Sequence, residues 1–441
     1  MTIDNRDNAG HILTMFLSFH IQMKKSLTAI LFLIVATANA LAIDYEIVET
    51  KSSFFYKSYV VKYESVSADM TGTDIVSGVI TIPSSGNANC VILDNHHTIT
   101  ANAEAPSVQG SSAAGMLFSL AYVVAATDYI GYGKTTDKVH PYLCQRQNAL
   151  NSIDIAKIAW DIVKKEKIKL KHENLLNVGY SQGGGVAMAV HREMENNSEL
   201  AKELHFSGSW CGDGPYDIKA CVVDYLTHPN EVSFPAVLPM IVNGFLSGAP
   251  AELKGDLTFA DFITDDMLDA GLETWLSEKK MDTGDINRKM REVVGGRSLT
   301  LADIFKPEMT SVDGALAKKY MEFAEADCIC TGWQPTYPIK LIHLKCDEVV
   351  PVFNTYNAID GLHLTEYQYL LDDTKSTHAD YGMTFYLKLI TELDNFNYDM
   401  SNTIVTTHAE RNKRPAKRME HGRILIERNG KRYNLSGGRI Q

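Results

Sequence analysis

The stretch that decides the fold is LLNVGYSQGGGVAMAV, which runs from Leu175 to Val190. Residues 175–178 predict a short buried strand, and the residues from Val186 onward predict a helix. Between them lies Gly-Tyr-Ser-Gln-Gly, with glycines two residues before and two residues after Ser181. A sharp turn between a strand and a helix exposes a serine oxygen, and glycines leave room where the two elements crowd the turn. The stretch therefore predicts a nucleophilic serine rather than an ordinary glycine-rich turn.

Further strands and helices alternate around this stretch. The segments 90–97 and 120–133 each begin as apolar strands and end in polar residues, which is typical of a parallel sheet. A helical pattern over 148–167 and a strand over 204–212 continue the alternation. Two earlier segments, 59–65 and 75–82, predict a β-hairpin at a sheet edge. The alternation indicates a parallel sheet with helices on both faces.

The alternation breaks at Pro215. From there to Pro338 the pattern is helical and irregular, and strand-like segments resume at 339–346 and 365–371, followed by a helix over 381–393. We therefore expect an α/β fold with a mostly parallel sheet flanked by helices. Residues 43–214 and 338–400 form its core, and residues 215–337 form an inserted helical cap.

The N-terminal region predicts export. Residues 23–42 read MKKSLTAILFLIVATANALA, with two lysines, an apolar run and small residues at the end. This is the pattern of a signal peptide, and its apolar run is too short to span a bilayer comfortably. Residues 1–22 then belong to an over-long start. We expect a secreted, periplasmic or cell-surface protein.

The net charge limits the kinds of binding partner, and the positions of the cysteines bear on disulfide formation. The 441 residues carry a net charge of -12, which disfavours nucleic acid as the main partner. Cys90 and Cys346 lie in apolar strand-like segments and are expected to be buried thiols. The other cysteines lie in or beside predicted loops and allow one or two disulfides in an exported chain: Cys144, Cys211, Cys221, Cys328 and Cys330.

A serine hydroxyl needs a base, and the base needs an acid to orient it. His378 lies in a loop after a predicted strand and before the last helix, whereas His363 precedes that strand and His343 lies inside another. Asp347 directly follows a strand and is the preferred acid. Glu348 is an alternative to it.

Two further alternatives, Asp372 and Asp373, lie close to His378 in the same loop, which is unfavourable for the usual geometry.

The oxyanion needs two backbone donors. The N–H of Gln182, next after the serine, is one candidate. The second comes from the loop 95–101 or from the loop 127–133, and the local sequence leaves that choice open. The neighbouring His96 and His97 point in opposite directions in an extended chain, so neither a metal nor a cofactor is expected.

These motifs together resemble those of the α/β-hydrolase superfamily: Asp128-Tyr129-Ile130-Gly131, Gly179-Tyr180-Ser181-Gln182-Gly183, Asp347 before Val350-Pro351, and His378. More narrowly, the chain is similar to the secretory lipase family typified by Candida antarctica lipase A, over about Asp94 to Gly382. The resemblance implies that Asp128 joins Gln182 in the oxyanion hole. The chain departs from that family in having Gln182 in place of a glycine.

The expected function is that of an exported serine hydrolase of the lipase or esterase type, in which Ser181, His378 and Asp347 cleave carboxylic esters. Its partners are then small-molecule or lipid esters, with transient contact between the cap and a lipid interface. A serine peptidase and an acetyl or feruloyl esterase acting on carbohydrate remain alternatives. So does a non-enzymatic binding protein. Residues 401–441 form a basic tail with a hairpin turning at Asn429-Gly430, either solvated or an export or surface-attachment signal.

Overall fold

The computed structural model of the chain describes residues 43–110, 118–228 and 231–403, together with four short strands between residues 416 and 440. The predicted over-long start, the predicted signal peptide and the predicted turn at Asn429-Gly430 lie outside the described residues. In the part of the chain that the structure describes, no helix is both long and apolar enough to cross a bilayer.

A sheet of nine strands forms the centre of the fold among the described residues. Its strands are β1 Tyr45–Ser52, β2 Tyr56–Val66, β3 Thr73–Pro83, β5 Val91–Asn95, β6 Val123–Thr127, β8 Leu175–Tyr180, β9 Phe206–Gly212, β10 Ile339–Leu344 and β11 Tyr369–Asp372. They lie in the order β1-β2-β3-β6-β5-β8-β9-β10-β11. Strands β1, β2, β3 and β6 pair antiparallel in that order, and every pairing from β6 to β11 is parallel. The short strands β4 (Asn87–Ala88) and β7 (Lys169–Leu170) pair separately.

The predicted hairpin is present, but it does not form the edge of the sheet. Strands β2 and β3 pair antiparallel along their whole length, with Ser65 opposite Asp74. Strand β1 pairs with the outer side of β2 and forms the edge instead. Its residues are mostly exposed and polar, so its sequence carries little of the alternation that identifies a strand.

Helices cover both faces of the sheet. On one face, α2 (Gln145–Lys165) and α3 (Gln182–Asn196) pack with the largest apolar cluster of the core. On the other face, α15 (His378–Thr403) packs through Tyr381, Phe385 and Leu389. Successive strand residues such as Ile92 and Leu93 belong to opposite clusters, as expected for strands buried on both sides. The other core helices are α1 Pro106–Gln109, α4 Ser198–Glu203 and α14 Phe353–Gly361.

The segment between β9 and β10 is helical, as the sequence predicts, and has its own apolar cluster. Tyr142 and Leu143, which precede α2, pack into that cluster and join it to the sheet core. The limits of this cap as a domain remain a prediction. Its helices are α5 Ile218–Thr227, α6 Val237–Gly248, α7 Ala251–Lys254, α8 Phe259–Phe262, α9 Asp265–Asp269, α10 Leu272–Glu278, α11 Thr283–Val293, α12 Leu301–Ile304 and α13 Ala315–Ala326.

The cysteines differ from expectation in two respects, since no disulfide is formed and Cys346 is not buried. All seven are free, and Cys90 is buried as predicted, but Cys346 is exposed because β10 ends two residues before it. The sulfurs of Cys328 and Cys330 lie 3.3 Å apart without a bond between them.

The C-terminal segment contains, among its described residues, four antiparallel strands, with Arg428 opposite Lys431 at the predicted hairpin. These strands are β12 Ala416–Glu420, β13 Arg423–Arg428, β14 Lys431–Tyr433 and β15 Arg439–Ile440.

Candidate active site

Ser181 occupies a strained turn between β8 and α3. Its φ of 58° and ψ of -123° lie where side chains are seldom found, and strain of this kind clusters at functional sites. A Cβ on Gly179 would lie 2.0 Å from the carbonyl oxygen of Gly183, and a Cβ on Gly183 would lie 1.9 Å from that of Asn95. The two glycines of the motif are therefore required by backbone packing around the serine.

The next glycine has a different neighbour. A Cβ on Gly184 would lie 2.3 Å from the carbonyl oxygen of Gly212, at the end of β9. The glycine run thus lets the first turn of α3 pack directly on the adjacent strand end. The helix begins at Gln182, four residues before the predicted start, so its N-terminus lies immediately after Ser181.

Ser181, His378 and Asp347 lie in one hydrogen-bonded series. The Ser181 hydroxyl lies 2.8 Å from Nε2 of His378, and Nδ1 of His378 lies 2.6 Å from Oδ2 of Asp347. The other carboxylate oxygen, Oδ1, accepts the N–H groups of Val349 and Val350, each at 2.8 Å. His378 is the first residue of α15 rather than a loop residue. Such a series lets an imidazole take the hydroxyl proton while a carboxylate holds the ring.

The electrostatics of the series suit a base. Burial alone lowers the pKa of His378, but the hydrogen bond and the negative charge of Asp347 outweigh burial and leave the pKa above its ordinary value. A protonated ring of His378 is therefore stabilised by Asp347.

The alternative acids are placed elsewhere. Glu348 accepts the backbone N–H of His378 and does not contact the ring. Asp372 accepts the hydroxyls of Tyr381 and Thr374, and Asp373 pairs with Lys345 at the surface.

The structure corrects the expectation for Asp128. This residue is fully buried, and its carboxylate accepts the N–H of Ser107 and the hydroxyl of Ser77. Its own backbone N–H donates to the carbonyl oxygen of Ser77 at 2.9 Å, so that N–H is not available to an oxyanion. Asp128 is also absent from the lining of the cavity at Ser181. The residue stabilises the contact between β3 and β6 instead.

The loop after β5 reaches the site in its place. The carbonyl groups of Asn95 and His96 lie against Gly183 at the start of α3. His97 follows them, and its side chain is exposed to the cavity that contains Ser181 and Gln182. Desolvation inside this apolar cavity lowers the pKa of His97, and the nearby His378 lowers that pKa further. The backbone N–H groups of Gln182 and His97 have no acceptor among the described residues, so both are free to bind an oxyanion.

Sequence reasoning missed two residues beside His378. The Tyr180 hydroxyl donates to the carbonyl oxygen of His378 at 2.5 Å. Asp213, directly after β9, has a carboxylate oxygen within 4.8 Å of both Asp347 and His378. Its position after a strand, as for Asp347, was the available signal.

A cavity of about 440 Å³ opens onto Ser181, His378 and Gln182. Its cap side is almost entirely apolar, and its core side carries a few polar groups, among them Thr98 and Glu104. A concave apolar cavity with few polar groups is the usual form of a small-molecule site. The cap residues that line it include Ile218, Val222, Leu226, Phe234, Val237, Leu238, Ile241 and Phe305.

A second series of a serine, a histidine and a carboxylate lies apart from this cavity. The hydroxyl of Ser209 lies 2.8 Å from Nδ1 of His191, and Nε2 of His191 lies 3.3 Å from Glu195. Ser209 and His191 are fully buried, and Ser209 also accepts the amide of Asn177. Glu195 in turn accepts the N–H groups of Thr336 and Tyr337. This series joins α3 to β9 and to the segment before β10.

The strand order, the turn at Ser181 and the helices on both faces define an α/β-hydrolase fold. Several solved structures share this fold with the chain. The rice cell wall degrading esterase LipA from Xanthomonas oryzae, in a mutant form, has a TM-score of 0.63 at 20% identity, covering 81% of this chain and 98% of its own. A putative hydrolase from Legionella pneumophila has a TM-score of 0.63 at 16% identity, covering 80% and 97%.

Candida antarctica lipase A also matches, with a TM-score of 0.52 at 13% identity, covering 79% of this chain and 81% of the lipase. The predicted resemblance is confirmed at the level of the fold, which is what identities this low establish. No family profile and no curated protein matches the sequence.

Proposed function

We propose that the protein is a serine hydrolase that cleaves carboxylic esters, with Ser181 as nucleophile, His378 as general base and acid, and Asp347 as the residue that orients His378. The observation that carries the proposal is the continuous series from the Ser181 hydroxyl through His378 to Asp347, open to an apolar cavity. The esterases and the lipase among the structural neighbours agree with it.

The proposed reaction has two halves. Ser181 attacks the acyl carbonyl while His378 takes its proton, and the N–H groups of Gln182 and His97 stabilise the oxyanion at the N-terminus of α3. His378 then gives the proton to the leaving alcohol. A water, deprotonated by His378, attacks the acyl-enzyme and releases the acid. The reaction needs neither a metal nor a cofactor.

The cavity favours an ester with an apolar acyl group. Residues of α5 and α6 form a continuous apolar wall beside Ser181, so methylene groups of the substrate are desolvated there. Transient contact of the cap with a lipid interface remains part of the proposal. Met383 of α15, which lines the cavity, is also partly exposed at the surface.

Export remains a proposal that rests on the sequence of residues 23–42 alone. N-terminal sequencing of the protein recovered from the secreting organism tests it. A mature chain that begins near Ile43 is the expected result. A chain that retains residues 23–42 would contradict it.

A substrate series tests the function. We expect p-nitrophenyl esters from acetyl to palmitoyl to be hydrolysed with a maximum at medium or long chains, and an aminoacyl-anilide to be hydrolysed far more slowly. A maximum at acetyl indicates a small-ester or carbohydrate esterase, and activity on the anilide alone indicates a peptidase. A fluorophosphonate probe should label Ser181, and an unlabelled wild-type protein would indicate a binding protein.

A further inference from the structure

A second carboxyl group, that of Asp213, lies behind the pair of His378 and Asp347. The two aspartates follow neighbouring parallel strands, since Gly212 at the end of β9 pairs with Ile342 of β10. One carboxylate oxygen of each and one ring nitrogen of His378 lie within 4.8 Å of one another. The side chains of both aspartates are fully buried.

The two carboxyl groups accept different numbers of hydrogen bonds from the protein. Asp347 accepts three hydrogen bonds, from His378, Val349 and Val350. Asp213 accepts one, from the N–H of Leu344 at 2.6 Å, and its Oδ2 accepts none from the described residues. The Tyr180 hydroxyl lies next to the Asp213 carboxyl group, but the tyrosine proton is given to the carbonyl oxygen of His378.

Among the described residues, no lysine or arginine forms an ion pair with Asp213. His343 lies 3.7 Å from Asp213 and 3.8 Å from Asp347, but its Nε2 faces the carbonyl oxygen of Val350 and its Nδ1 faces the hydroxyl of Thr355. Burial raises the pKa of Asp213 above its ordinary value. The charge of His343 lowers that pKa, the charge of Asp347 raises it and the charge of His378 lowers it, and burial prevails.

A proton on Asp213 avoids two adjacent negative charges in a buried site, and it gives Oδ2 a hydrogen to donate. Two buried carboxylates this close do not readily ionise together, and Asp347 has the donors that an anion needs. A protonated Oδ2 of Asp213 would be a hydrogen-bond donor beside the oxygen of Tyr180, whose own hydroxyl donates to the carbonyl oxygen of His378. The titratable groups near Asp213 are Tyr180, Tyr216, His343, Asp347, His378 and Tyr381.

We propose that Asp213 is a positioning residue. As a neutral acid, Asp213 holds His378 in place through Tyr180. When Asp347 carries no charge, Asp213 replaces Asp347 as the hydrogen-bond partner of His378. In that replacement Asp213 loses its proton to solvent, and its carboxylate accepts the hydrogen bond from Nδ1 of His378. The inference rests on the proposed function, because it assigns His378 as the base.

The test compares Asp347→Asn, Asp213→Asn and the double variant by the rate of fluorophosphonate labelling and by kcat/KM. Removal of a sole triad acid lowers the rate about ten-thousandfold, whereas we expect Asp347→Asn to lower kcat/KM and the labelling rate only about a hundredfold. Asp213→Asn should lower both rates less than about tenfold in the wild type, and about a hundredfold further in the Asp347→Asn background. The matched control is Asp373→Asn in that background, which neutralises a surface carboxylate and should cost nothing further.

Equal rates for Asp347→Asn and the double variant would overturn the proposal. Two measurements on Asp347→Asn alone keep the test valid if Asp213→Asn does not fold. Its activity should rise with pH as Asp213 ionises, and its proton spectrum should retain a low-field signal from Nδ1–H of His378. A flat profile without that signal contradicts the inference. Labelling needs no ester turnover, so a wild type that is labelled but inactive on esters would contradict only the proposed function.

Discussion

The backbone N–H of Asp128 donates to the carbonyl oxygen of Ser77 at 2.9 Å, which joins β6 to β3 and takes that N–H away from Ser181. The loop after β5, which contains His97, is left as the element that faces Ser181 across the start of α3. The second oxyanion donor is therefore expected from that loop.

Replacing His97 with proline removes the proposed donor, because proline has no backbone N–H. We expect His97→Pro to lower kcat by about a hundredfold to a thousandfold, the usual cost of losing one oxyanion donor. His97→Ala keeps the N–H and should lose less than about tenfold. Thermal unfolding of both variants checks that they fold. Equal losses in the two variants would assign the donor to another residue.

Ser181→Ala should abolish fluorophosphonate labelling and lower kcat by about a millionfold, since no nucleophile remains. The matched control is Ser209→Ala, which removes a serine from the buried series with His191. That variant should be destabilised by about 1–3 kcal/mol, because His191 and Asn177 lose a partner, yet its folded fraction should still be labelled. Labelling that persists in Ser181→Ala and disappears in Ser209→Ala would reverse the assignment.

The activity should depend on pH through His378, which must be neutral to act as a base. Because its pKa is raised above the ordinary 6.5, kcat/KM should fall as the pH decreases through a midpoint above 6.5. The charge of Glu348 contributes to the raised pKa, so Glu348→Gln should move the midpoint to lower pH. Asp373→Asn serves as the control and should leave it unmoved. A wild-type midpoint below 6.5 would contradict the assignment.

Gly183→Ala should destabilise the protein by about 3 kcal/mol or more, because the added Cβ meets the backbone of Asn95, which has no room to move. Gly185→Ala places its Cβ against the side chain of Gln145 instead, 2.4 Å from the amide nitrogen. A side chain yields more easily than a backbone, so the expected loss is about 1 kcal/mol. Chemical denaturation measures both. A smaller loss in Gly183→Ala than in Gly185→Ala would argue against the packing described at the turn.

The chain-length preference should respond to the cap. Ile241→Trp places a larger ring on the apolar wall of the cavity and should move the ester maximum toward shorter acyl chains. Leu246→Trp lies on the same helix, packs on the cap cluster and does not line the cavity. Its maximum should stay that of the wild type. An unchanged maximum in Ile241→Trp would place the acyl group elsewhere.

The sequence predicts the parallel sheet, the helical insertion and the residues that meet at the site, because these depend on local patterns. Buried strands are apolar runs, and the turn at Ser181 requires glycines on both sides. The structure brings Ser181, Asp347 and His378 together in the expected chain order. The first residue of α3 was not predicted, since three consecutive glycines give no helical signal.

What the sequence did not predict depends on contacts between distant segments. The role of Asp128 was transferred by resemblance, but its N–H is occupied by Ser77, 51 residues earlier in the chain. The edge position of β1 follows from its pairing with β2 and not from its own exposed residues. Asp213 was overlooked because only the pairing of β9 with β10 places it beside Asp347.

The buried series of Ser209, His191 and Glu195 shows that the distances of a triad can occur in this fold without a catalytic role. When no substrate can reach them, the same three functional groups can instead hold a helix against a strand. A serine in such a series can react only if a cavity gives a substrate access to it and if neighbouring backbone N–H groups are free to bind an oxyanion. In this protein that cavity is enclosed by the cap, so changes in the cap decide which molecules Ser181 can meet.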